Sequence, residues 1–107
     1  MSFLLAFLFA LLQVQASPRV VEISAKRFEF SPKEVHLRAG EPVTVRLVST
    51  DRAHGLLIKE LGIDLDANDG APDSITITPS HTGTYAAICD HYCGSGHGNM
   101  RMTLIVE

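Results

Sequence analysis

The chain has 107 residues, of which 46% are hydrophobic, 20% charged and 7% aromatic. These are the proportions of one small globular domain, not of a disordered, collagenous or membrane-spanning polypeptide. Nine Lys and Arg stand against twelve Asp and Glu, giving a net charge of -3, which argues against a nucleic-acid surface built on clustered cations.

Phe3 to Leu12 reads FLLAFLFALL, ten apolar residues without a break, where a membrane-crossing helix needs roughly 20. Gln13-Val14-Gln15-Ala16 follows with the small or modest side chains that a signal peptidase reads. Residues 1–16 are expected to be a cleaved export leader. The mature part, residues 17–107, is then a single periplasmic or secreted domain without a membrane span of its own.

From Val20 onward apolar residues recur at every second position: Val35 and Leu37, then Val43, Val45 and Leu47, then Ile75 and Ile77, then Met102, Leu104 and Val106. That is strand periodicity. Ser31-Pro32, Ala39-Gly40, Asn68 to Pro72, Pro79 and Gly83 supply turn chemistry between the runs. Six to eight short strands in an antiparallel sandwich are predicted, with two facing apolar surfaces forming one core. The least strand-like stretch is Glu60 to Asp73, where Glu60, Asp64, Asp66, Asp69 and Asp73 bunch as a surface loop. Asp64, Asp66 and Asn68 alternate as calcium ligands do. The glycine, however, falls one place late at Gly70, and Ile75 stands where a bidentate Glu is required, so the loop reads as solvated acid.

Chemistry concentrates between Cys89 and Met100. Two thiols (Cys89, Cys93), two imidazoles (His91, His97) and one thioether (Met100) fall within twelve residues, with Gly94, Gly96 and Gly98 allowing a tight loop. Thiolate and thioether favour monovalent copper while imidazole suits both oxidation states, so this set lets copper change charge in place. His54, at the start of Leu56-Leu57-Ile58, is the candidate ligand from a neighbouring strand. Two plain readings of the cysteines stand side by side: they form a structural disulfide, or Cys93 alone joins His54, His97 and Met100 in a mononuclear blue-copper site. His36 and His81 read as surface residues, Met102 as core, and Tyr85 as a core residue with its hydroxyl satisfied near an edge.

The residues Cys89, Cys93, Gly94, His97 and Met100 resemble the C-x3-C-G-x2-H-x2-M signature of the cupredoxin family, specifically its copper-A (CuA) domains in cytochrome c oxidase subunit II and nitrous oxide reductase. His54 matches the upstream ligand, and Asp51 the aspartate often found three residues before it. Phe28-x-Phe30-x-Pro32 looks like the cupredoxin opening, and Leu61-Gly62, Asp66-Ala67 and Gly70 resemble the segment after the first histidine. The resemblance implies a cupredoxin-like Greek-key β-sandwich, all-β. It also implies a dinuclear copper centre bridged by both cysteines, with His54 and His97 on the two coppers and with Met100 and the backbone carbonyl of His91 in the outer positions.

Such a centre passes single electrons and leaves no open position for a substrate, so an electron carrier is expected and not an enzyme. The implied partners are redox proteins: a c-type cytochrome as donor and a terminal oxidase or reductase as acceptor, the acidic stretch steering a basic donor. A copper-handling protein that delivers metal to an oxidase would use the same ligands. His91 replaces the glutamate that serves a magnesium site in the oxidase. Leu56 replaces a common aromatic, and there is no Trp. These departures favour a free or loosely associated carrier over an integral oxidase subunit.

Overall fold

The computed structural model describes residues 17–27, 29–89 and 100–107. The expected leader (1–16), Phe28, and His91, Cys93 and His97 of the expected ligands lie outside them. In chain order the elements are β1 (Arg19–Lys26), β2 (Glu29–Ser31), β3 (Glu34–Leu37), β4 (Val43–Ser49), β5 (His54–Ile58), a single 3-10 turn (Lys59–Leu61), β6 (Ile63–Ala67), β7 (Asp73–Ile77), β8 (Gly83–Ile88) and β9 (Arg101–Val106).

The strands form two sheets, one ordered β2-β1-β4-β7 and the other β3-β9-β8-β5-β6. Alternation decides which face each strand buries. In β4, Val43, Val45, Leu47 and Ser49 point into the core while Thr44, Arg46 and Val48 are only half-buried. On that outer face Arg46 meets Glu22 at 3.4 Å and Thr44 meets Thr76 across the ladder at 2.7 Å. The other sheet gives Leu56 and Ile58 of β5 and Met102, Leu104 and Val106 of β9 to the same buried core, which also takes Phe30 of β2. Each such side chain removed from water contributes roughly 1.5–3 kcal/mol, and most of the core comes from strand residues.

Two expectations change. The sandwich is mixed, because β1 pairs with β4 and β3 with β9 in parallel. Parallel neighbours cannot be joined by a tight hairpin. Between β1 and β4 the chain runs through β2 and crosses to the opposite sheet as β3, then returns pointing as β1 does. The acidic stretch is the second correction. It contains a strand, β6, whose Ile63, Leu65 and Ala67 are buried while Asp64 and Asp66 face out. The aspartates are the wet half of a period-two pattern. A turn follows in which Asn68 and Ala71 exchange backbone bonds of 3.0 and 2.9 Å around Gly70, whose φ of 77° suits glycine. Asp73 then returns to accept the Asp66 amide at 3.1 Å, and β6 forms an outer strand of its sheet.

Candidate metal centre

Strand direction gathers the ligands from distant sequence. β8 runs antiparallel to both its neighbours, β9 and β5. The end of β8, the start of β9 and the start of β5 therefore share one edge of the sandwich. Cys89 follows β8 and Met100 precedes β9, and the Cys89 amide donates to the Met100 carbonyl at 3.4 Å, continuing the ladder beyond Ile88 and Arg101. Both side chains are buried, on the core face that Ala87 and Met102 also occupy. On β5, Leu57 pairs with Ile88. His54 and Leu56, both buried, thus turn to the same core face, His54 at the strand's first position.

Three of the six sequence-derived ligands, His54, Cys89 and Met100, accordingly sit on adjacent strands, at one end and on one face. His91, Cys93 and His97 lie outside the described residues, so among the described residues no group of three or more His, Cys, Asp or Glu converges. Cys89 is disulfide-bonded. The chain has one other cysteine, Cys93.

His54 tests whether the site suits a metal. Its ring is fully buried, its Nε2 lies 2.7 Å from Asp51 Oδ1, and its Nδ1 has no hydrogen-bond partner among the described residues. An ionised carboxylate only accepts, so Nε2 carries a proton, and in the neutral ring Nδ1 then holds a lone pair. A buried polar atom without a partner is unfavourable by about 1–3 kcal/mol and calls for an explanation such as an ion. A lone pair on imidazole is what copper takes, and a carboxylate behind the ring is the usual means of orienting such a ligand. The donor set fits.

Asp51 is the residue whose part the ligand spacing alone does not disclose. Its Oδ1 also accepts the Arg52 amide at 2.7 Å, and its Oδ2 accepts the amide of Arg27, from the turn after β1, at 2.7 Å. Partial burial of the carboxyl raises its pKa, but the bonds from His54, Arg27 and Arg52 outweigh that and hold it below the usual carboxylate value. Ser49 supports the same loop through its hydroxyl, which donates to the Arg52 carbonyl and receives the Asp51 amide. The D-x-x-H spacing was a signal for Asp51. No local signal pointed to Arg27, twenty-four positions away.

The remaining candidates fall where the sequence put them. Tyr85 packs against the core and donates its hydroxyl to the His81 carbonyl at 3.0 Å. His81 is exposed beside Ser80. His36 is exposed at the other end of the sandwich, with Nδ1 against Glu107 and Nε2 3.1 Å from Glu34. The bond to Glu107, then that to Glu34, raises its pKa above the ordinary 6.5. No helix among the described residues is long and apolar enough to cross a membrane.

Comparison with known proteins agrees with this architecture. The chain is 28% identical over 98 residues to cytochrome c oxidase subunit 2 of Thermus thermophilus, spanning 92% of this chain and 73% of that one. It is 30% identical over 91 residues to nitrous-oxide reductase of Cupriavidus necator, 81% of this chain but only 14% of the reductase. The crystal structure of the periplasmic domain of subunit II of cytochrome oxidase (CoxB) of Bradyrhizobium japonicum superposes with a TM-score of 0.77 at 16% identity, over 88% of this chain and 87% of that domain. Residues 1–106 match the family model described as a cupredoxin-like domain, and the chain belongs to that family.

Proposed function

We propose that the protein is an exported electron carrier whose copper is held as a pair of ions by His54, Cys89, Cys93, His97, Met100 and the backbone carbonyl of His91. The observation that carries this reading is the buried, unpartnered Nδ1 of His54 on the same sheet end and core face as Cys89 and Met100. Kinship with oxidase subunit II supports it. Copper held by these thiolate, thioether and imidazole donors would supply one-electron oxidation and reduction in place.

The chain's own residues do the rest. Asp51 keeps the His54 lone pair available. The β8–β9 ladder fixes where Cys89 and Met100 start and end the ligand loop. Surrounding strands exclude water. A sulfur in a disulfide has no thiolate to offer a metal, so the form in which Cys89 is disulfide-bonded precedes loading. A dithiol reductant gives two electrons and two protons to the disulfide, leaving two thiols and itself becoming a disulfide.

The test is stoichiometry and spin. After reduction and copper loading, elemental analysis is expected to give two coppers per chain, and electron-spin resonance a hyperfine pattern shared by both nuclei. Loading without reductant should fail. Cys89→Ser should abolish the shared pattern. One copper per chain, or an unchanged spectrum in Cys89→Ser, would overturn the two-copper centre in favour of a mononuclear one.

A further inference from the structure

An imidazole can present Nδ1 to a metal only when its proton rests on Nε2, and the ring alone does not make that choice. We propose that Asp51 makes it, as a positioning residue that fixes the His54 tautomer and fastens the ring to the turn leaving β1 of the opposite sheet. The consequence for copper rests on the function proposed above, whereas the tautomer itself belongs to the metal-free chain.

Three short donors converge on one carboxylate, with the Ser49 hydroxyl a more distant fourth, 3.5 Å from Oδ1. Oδ1 takes the His54 Nε2 and the Arg52 amide, each at 2.7 Å, and Oδ2 takes the Arg27 amide, also at 2.7 Å. Neither backbone amide can reverse its role, because an N–H only donates. A carboxylate suits all three donors because both of its oxygens accept. An asparagine in its place does not. With its NH2 toward Arg27, two N–H groups oppose each other and the link between sheets is lost. With its NH2 toward His54, the Arg52 amide is opposed, and the ring finds relief only by moving its proton to Nδ1. That move occupies the lone pair that is otherwise unpartnered in the core. The fully buried ring has no water to restore the choice.

The experiment reads ring nitrogens directly. In nitrogen-15 NMR spectra of the metal-free, histidine-labelled protein, with the His54 signals assigned by their loss in His54→Gln, the expected form is protonated at Nε2. Asp51→Ala, which removes both carboxylate oxygens, should move His54 to the Nδ1-protonated form or a mixture of the two, and should weaken monovalent copper binding about 10- to 100-fold. Protonation at Nδ1 in the wild-type protein would overturn the proposal. So would Asp51→Ala with the tautomer unchanged, whether or not copper affinity falls, since a loosened loop would then suffice. The wild-type spectrum needs no variant to fold, and it is independent of copper count, so failure here and failure of the two-copper centre are told apart.

Discussion

At His36 a single ring bridges two carboxylates, Glu107 at Nδ1 and Glu34 at Nε2. Both contacts are hydrogen bonds only when both nitrogens carry protons, which is why the folded chain favours the charged ring and the pKa is raised above 6.5. A group with a raised folded pKa stabilises fully below its unfolded value and loses that contribution as pH climbs through the folded one. The gap in urea midpoint between the wild-type protein and His36→Gln should therefore be wider at about pH 5.5 than at about pH 8.5. Equal gaps at the two pH values would contradict this. The ring is well exposed, so the effect is a modest one. His54 differs from His36 in every respect that matters: it is buried, bonded at one nitrogen only, and faces the end where soft ligands gather.

Among the elements, β6 shows how a strand escapes notice. Counting charge between Glu60 and Asp73 suggests a solvated loop, yet the same residues taken two at a time give Ile63, Leu65 and Ala67 inside with Asp64 and Asp66 outside. Leu65→Ala should lower stability by about 2–5 kcal/mol, while Asp64→Asn should change it by less than about 0.5 kcal/mol. Urea unfolding of the two variants checks this, and a near-neutral Leu65→Ala would return the stretch to a loop. The strands β3, β4, β7 and β9 were legible because apolar residues alternate without interruption, which local sequence records. The parallel pairing of β1 with β4 was not, because register between strands separated by two others depends on packing across the molecule. The candidates His54, Cys89 and Met100, which the fold brings to one end, were legible as spacing. The bond from the Arg27 amide to Asp51 was not, since any residue but proline supplies an amide.

Over the whole molecule, charge is unevenly spread. Glu60, Asp64, Asp66, Asp69 and Asp73 fall within fourteen residues of a chain whose net charge is only -3, and all but Asp73 are exposed. Such a patch draws a basic partner and speeds encounter more than it strengthens the complex. With a basic cytochrome as the proposed donor, electron transfer should slow steeply as salt rises from about 10 mM to about 0.2 M, over which the screening length falls from about 30 Å to below 10 Å. A rate insensitive to salt would rule out steering by this patch.

The same strand has a bearing on solubility. An outermost strand exposes amides and carbonyls on which another chain can build, the first step of fibre growth. Along β6 the Asp66 amide is already taken by the Asp73 carboxylate, and the outward side chains beside it bear negative charge. Two copies brought edge to edge would repel one another before any backbone bond formed, so this border of the sheet resists self-association.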